Sequence, residues 1–215
     1  MRIKQYGLFC NDHFKKGSGG ESLRPKAFDP DDIIDAAMKV FWQRGYSATS
    51  IQDLEEGTEL GRSSIYNAFG SKHELYERSL RRYQELKAEK IAVLSGPGPV
   101  RERIRRLLMD VVDEELSEEK GLGCMNASAA LELASHDPSV AAIVAQNLND
   151  MESALYEALS RARETGEIAA DRDVRALSRF ILNTVQGMRV LSKGYLGHDR
   201  RQLLHDVVDV AIRVL

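Results

Sequence analysis

Arg44-Gly45-Tyr46-Ser47-Ala48-Thr49-Ser50-Ile51-Gln52-Asp53-Leu54 is followed, after Glu55-Glu56-Gly57-Thr58-Glu59, by Leu60-Gly61-Arg62-Ser63-Ser64-Ile65-Tyr66-Asn67-Ala68-Phe69-Gly70-Ser71-Lys72-His73-Glu74-Leu75. Thr49-Ser50-Ile51-Gln52 reads as a Thr-x-x-Gln capping box opening a short helix that runs to about Gly57 or Thr58. A turn near Thr58-Glu59-Leu60-Gly61 precedes a third helix over roughly 62–69, and Ser71 caps a fourth. The apolar positions Ile51, Leu54, Leu60, Ile65 and Phe69 can pack inward, which leaves Arg62, Ser63, Ser64, Tyr66 and Asn67 facing out. Two short helices joined by a tight turn make a helix-turn-helix, whose second helix fits a DNA major groove. The outward residues have the chemistry for that groove: arginine pairs with guanine, asparagine with adenine, and hydroxyls with phosphate or base edges. Thr49, Ser50 and Lys72 stand at the starts of the second and fourth helices, where backbone N–H groups attract phosphate. An ordinary solvated helix face is the competing reading for each residue. Asp53 reads as a helix-surface or packing position.

Upstream, Asp29 is a plausible N-cap and Pro30 suits the first helical position, with Asp31 and Asp32 at the positive end of the dipole. Ile33, Ile34, Ala37, Met38 and Phe41 recur at helical spacing, and Gly45 stops the helix after Arg44. Residues 1–28 read as a flexible tail, with Gly17-Ser18-Gly19-Gly20 of linker composition. Arg24 and Lys26 there have the chemistry of a minor-groove arm or of a solvated tail.

Downstream, Gly96-Pro97-Gly98-Pro99 interrupts the helical pattern. Five further helices are expected at about 100–117, 124–135, 139–165, 173–194 and 199–214. No strand alternation is convincing. The expectation is an all-α chain with a three-helix helix-turn-helix head at 29–75 and a larger helical bundle at 76–215. Met109, Cys124, Met125, Phe180, Thr184 and Met188 are candidates for the lining of an effector pocket, with plain core as the alternative. Cys124 stands at an expected helix start, which suits a redox or electrophile-sensing thiol as well as a small buried apolar residue.

Composition bounds the function. The 215 residues include 43% hydrophobic ones, enough for a sizeable core. No apolar run approaches the roughly 18 to 20 residues that span a bilayer, so no membrane partner is expected. Cys10 and Cys124 are the two cysteines and form no CxxC pair, which suits a reducing cytoplasm and argues against a zinc site. The net charge of −3 is a mild argument against nucleic acid but does not exclude it, because a chain that is acidic overall can present a local cationic patch. There is no Gly-rich phosphate loop, no metal-ligand spacing and no linked Ser/His/Asp arrangement, so neither an enzyme nor a bound cofactor is expected.

The run from Arg44 to Leu54, continued from Leu60 to Leu75, resembles the N-terminal domain of the tetracycline-repressor (TetR/AcrR) family over about residues 30–80. The resemblance implies a homodimer, paired through the last two helices, that binds a palindromic double-stranded operator. It also implies release when a small molecule occupies the C-terminal domain. Glu59 departs from the family at a turn position that is usually glycine, and Glu55 at one that is usually alanine. Gly61 replaces a serine or threonine cap. Two other readings remain open: an all-helical enzyme with an incidental helix-turn-helix, and a DNA-binding protein without an effector.

Overall fold

The computed structural model describes residues 29–117, 123–195 and 197–215; the expectations placed on residues 1–28, including Arg24 and Lys26, lie outside them. Among the described residues the chain is helical, without strands. The helices are α1 (Pro30–Arg44), α2 (Ile51–Thr58), α3 (Arg62–Phe69), α4 (Lys72–Ile91), α5 (Val100–Ser117), α6 (Met125–Glu132), α7 (Pro138–Glu164), α8 (Val174–Gly194) and α9 (Gly197–Val214). A 3-10 turn at Ala92–Ser95 continues α4. The expected all-α architecture holds.

Local chemistry sets most of the boundaries. The Asp29 carboxylate accepts the Asp31 N–H at 3.0 Å, and Pro30 occupies the first turn of α1. Asp137 and Asp173 cap α7 and α8 in the same way. Helix α6 stops at Glu132, short of the expected 135, because the chain must turn before Pro138, which disfavours helical backbone at Asp137. The turn closes with Leu133 O accepting from both His136 N and Asp137 N.

Helix α2 opens one residue later than expected. Its cap is Ser50, whose hydroxyl accepts the Asp53 N–H at 3.1 Å while the Asp53 carboxylate accepts the Ser50 N–H at 2.7 Å. Asp53, expected to be a surface or packing position, is therefore the reciprocal half of the capping box. The Thr49 hydroxyl turns inward instead and donates to Gly45 O at 2.6 Å.

Two hydrophobic clusters hold the molecule. One joins α5, α7, α8 and α9 through residues such as Leu108, Leu159, Ile181 and Leu204. The other begins in the head with Phe41, Leu54, Ile65 and Phe69, then passes through Tyr76, Leu80 and Tyr83 of α4 into α6 and the start of α7. Packing is thus continuous across the expected domain boundary near residue 75. The head rests on α6 as well as on α4.

Glu59 resolves the first departure from the family pattern. It adopts the left-handed conformation, φ 56° and ψ 21°, and is the only non-glycine residue with positive φ among the described residues. The turn has kept its geometry and the residue carries the strain, roughly 1–2 kcal/mol for an L-residue with a Cβ. Glu59→Gly is expected to raise stability by about 1 kcal/mol, read as a higher midpoint in thermal or urea unfolding followed by circular dichroism.

Candidate nucleic-acid interface and the helices that support it

Helix α3 is short and amphipathic. Ile65 and Phe69 are buried, whereas Arg62, Ser63, Ser64, Tyr66 and Asn67 all lie on its exposed face. The Arg62 guanidinium sits 5.6 Å from the centroid of the Tyr66 ring, one turn along. Gly61 offers no side-chain cap to this helix. Glu55 of α2 supplies one instead, its carboxylate accepting the Arg62 N–H. The family departures at positions 55 and 61 compensate each other: the cap lost at Gly61 is replaced from the preceding helix.

The helix starts expected to hold phosphate differ among themselves. Ser50 is exposed but engaged with Asp53, and Arg44 closes on the same carboxylate at 2.9 Å. Bonds from the Ser50 backbone and side chain, with the Arg44 charge, hold the Asp53 carboxyl below its usual range. Thr49 is only 2% exposed, and both its N–H and its hydroxyl are committed, to Tyr46 O and Gly45 O. Its side chain is absent from the exposed face because the turn after α1 needs that hydroxyl. Lys72 donates to Tyr46 O at 2.6 Å and lies 4.3 Å from the Tyr46 ring centroid. Burial lowers its pKa, against the attraction of Glu132 and Asp53.

Helix α6 is tied to the head at both ends. Beside its start, Gly123 O accepts the indole N–H of Trp42 at 3.0 Å. At its last residue, the Glu132 carboxylate accepts the Ser47 N–H at 2.8 Å, in the turn leading to α2. That carboxylate lies against Gly45, whose φ of 80° and missing Cβ leave room for it. Helix α6 is therefore joined to α1 and to the α1–α2 turn.

Behind α6 lies a cluster of charges. Glu114 of α5 accepts from Lys87 at 2.8 Å with both oxygens, from Arg189 at 2.7 Å, and from Lys90. Arg189 also faces Glu115 at 3.6 Å, and Ser192 donates to Glu115. Lys87 stands 5.4 Å from the Trp42 ring centroid and 5.2 Å from that of Tyr83. Burial, then Arg189, push the Lys87 pKa down to about 8 although Glu114 opposes them. Burial pushes Glu114 upward, but Arg189 and Lys87 outweigh it and hold its pKa at about 2.

A cavity of about 120 Å³ lies between α4, α6, α7 and α8, bordered by Tyr83, Ile91, Cys124, Asn147, Val185 and Arg189 among others. A second hollow of about 250 Å³ lies on the far side of Lys87 and Arg189, among the paired charges. Of the six residues expected in an effector pocket, only Cys124 borders the inner cavity. Met125 is in the core shared with the head, and Met109 packs against the C-terminal core. Phe180, Thr184 and Met188 line an open groove of about 360 Å³ on the outer face of α8 and α9, together with Leu191, Val207 and Val210. These six do not converge, because α8 has two useful faces. Positions 180, 184 and 188 share the outer one, and 182, 185 and 189 turn to the cavity.

Among the described residues no group of three metal-ligating side chains gathers, and no helix is long and apolar enough to cross a membrane.

Known proteins share this arrangement. Residues 33–78 match the bacterial regulatory proteins of the tetR family, and residues 101–203 match a tetracyclin repressor-like C-terminal domain. The uncharacterized HTH-type transcriptional regulator YezE of Bacillus subtilis (strain 168) is 32% identical over 194 residues, covering 89% of this chain and 98% of the relative. The HTH-type transcriptional repressor ComR of Escherichia coli (strain K12) is 29% identical over 172 residues, 79% of this chain and 82% of the relative. Among solved structures, a cysteine mutant of the TetR family transcriptional regulator CifR, complexed with 26 bp double-strand operator DNA, matches with a TM-score of 0.78. It is 32% identical, over 88% of this chain and 98% of that one.

The depressed pKa of Glu114 has a stability consequence with a definite sign. Its contribution is full above the unfolded value near 4.5 and is lost as pH falls toward about 2. Acid unfolding is expected to steepen across that window, and Glu114→Gln to flatten it, in urea melts repeated between pH 5 and pH 2.5.

Proposed function

Since the chain belongs to the tetR family of bacterial regulatory proteins, which are DNA-binding regulators and not enzymes, we propose that it represses transcription as a cytoplasmic homodimer on a palindromic operator, released by a small-molecule effector. The observation that carries this reading is the face of α3, five polar side chains turned to solvent above two buried apolar anchors. In this reading α3 enters the major groove. Arg62 and Asn67 read base edges, while Ser63, Ser64 and Tyr66 contact phosphate or bases. Ser50 presents the start of α2 to the backbone, and Lys72 exchanges Tyr46 O for a phosphate oxygen.

The dimer is assigned to α8 and α9. Phe180, Leu191 and Val210 are exposed and line one largely apolar groove across α8 and α9, the kind of surface that a partner copy covers. A two-fold axis there makes the interface self-complementary and sets two α3 helices about 34 Å apart, or a multiple of that, on one face of the duplex. Effector entry is assigned to the cavity beside α6, whose ties to Trp42 and Ser47 carry a displacement to the head. The cavity is well below the roughly 300–1,000 Å³ of sites for drug-sized ligands. That favours a very small effector, and it keeps alive the second reading, constitutive operator occupancy without any effector.

A selection from random duplexes is expected to return a two-fold symmetric site; recovery of no preferred sequence would sink the reading. On that site Arg62→Ala and Asn67→Ala should each cost about 1–3 kcal/mol and relax one position of the sequence preference. Lys72→Ala should weaken all duplexes alike and reduce the slope of log affinity against log salt by about 1. Leu191→Glu should yield monomers in sedimentation, with operator affinity lost alongside the dimer.

A further inference from the structure

We propose that Lys87 is a covalent attachment site, at which an uncharged aromatic aldehyde enters the hollow bordered by Trp42, Tyr83, Leu86 and Glu114 and condenses with the side-chain amine to a Schiff base. The hollow lies on the far side of Lys87 and Arg189 from the inner cavity, and the attachment does not depend on whether the chain represses transcription.

The walls define the ligand. The volume of about 250 Å³ exceeds the 150 Å³ or so that accommodates benzene in an apolar cavity, which leaves room for one ring with a short substituent. Two of the walls are themselves rings. Trp42 and Tyr83 meet edge to face with centroids 5.0 Å apart, and the bond from the Trp42 indole N–H to Gly123 O fixes the larger of them. Exposed Leu86 carries the apolar surface out to solvent. The charges on the border are already paired. Glu114 accepts from Lys87, Lys90 and Arg189, and Glu115 accepts from Ser192 and faces Arg189 at 3.6 Å. An added ion of either sign meets no free counter-charge there, so the hollow suits an uncharged ring.

Lys87 is placed as the nucleophile. Its Nζ lies 5.4 Å from the Trp42 centroid, 5.2 Å from that of Tyr83 and 2.8 Å from both oxygens of Glu114. The side chain is 17% exposed, shielded but within reach of the hollow. An ordinary lysine is almost wholly ammonium at neutral pH, whereas burial and the Arg189 charge bring Lys87 to about 8. Roughly a tenth of it is then free amine at pH 7, which is the condition of Schiff-base lysines. A Schiff base also suits the surroundings better than an acyl group does. Acylation would cancel the charge on the nitrogen. A protonated imine keeps it, with Glu114 as counter-ion and the two rings beside it.

The condensation balances without a co-reactant. The ammonium sheds one proton to water, Nζ attacks the carbonyl carbon, a C–N bond forms, and the π pair of the C=O bond moves to oxygen. A second proton passes from nitrogen to that oxygen and gives the carbinolamine. The hydroxyl takes up the proton first shed and leaves as water while the nitrogen lone pair closes the C=N bond. Ammonium and aldehyde have become protonated imine and water, with no change of net charge.

The test equilibrates the full-length chain with benzaldehyde near pH 7, traps imines with sodium cyanoborohydride, and reads every amine by peptide mapping at low conversion. The chain's own α-amino group is the internal reference, because such groups titrate at roughly 8 as well. Lys87 is expected to exceed that reference by about threefold or more, and every other lysine by about tenfold or more. Propionaldehyde, which has no ring to pack on Trp42 and Tyr83, should leave Lys87 at or below the reference. In urea the preference for Lys87 should disappear. Trapping at Lys87 no greater than at the α-amino group of the folded chain would overturn the site, and so would a preference that persists in urea. Enrichment at Lys90 instead, on the same wall, would overturn the assignment to Lys87. Equal enrichment with the two aldehydes would overturn the aromatic class.

Discussion

Glu114 holds three cations at once, and the joint between head and body is built around it. Lys87 and Lys90 come from α4 and Arg189 from α8, so one carboxylate of α5 joins three helices. Lys87 extends the joint to the head, because its ammonium also lies over the rings of Trp42 and Tyr83. Removing one member of such a buried set typically costs about 3–5 kcal/mol, chiefly because the remaining charges are stranded away from water. An apolar replacement of the whole set is often no less stable. The set therefore does more to specify how α4, α5 and α8 meet than to stabilise the fold. The first turn of α4 carries Lys72 and its last turns carry the charges.

The head shows how a small motif absorbs unfavourable substitutions. Glu59 accepts a left-handed backbone that glycine would adopt without cost. Glu55 replaces the cap that Gly61 cannot provide. Both bring negative charge beside the exposed face of α3. Arg44 is paired with Asp53, and Lys72 is directed to Tyr46 O. The acidic balance of the whole molecule is consistent with that arrangement.

Helix α6 is the short element that touches both body and head. Its two ties, Trp42 to Gly123 and Ser47 to Glu132, fall on either side of the α1 C-terminus. The core shared by α1, α4 and α6 is continuous. The contacts that join body and head here are packed side chains and two hydrogen bonds, Trp42 to Gly123 and Ser47 to Glu132.

Much of this was legible in the sequence. Periodicity and punctuation identified the helices, because caps and apolar spacing act within a few residues of one another. Asp29, Pro30, Ser71 and Asp137-Pro138 mark their helix starts in the sequence as they do in the structure. The exposed face of α3 was readable for the same reason, since Ile65 and Phe69 leave only one outward side. What the sequence left ambiguous were choices between near-equivalent partners. Thr49 and Ser50 are both good caps, and only the turn after α1, which takes the Thr49 hydroxyl for Gly45 O, assigns the role to Ser50 and its reciprocal bond to Asp53. Helix α8 is apolar on two faces, and only its packing against α5 and α7 sends Val185 and Arg189 to the cavity and Phe180 and Met188 to the outer groove. The ion cluster and the ties of α6 join residues far apart in the chain, so tertiary structure alone brought them together.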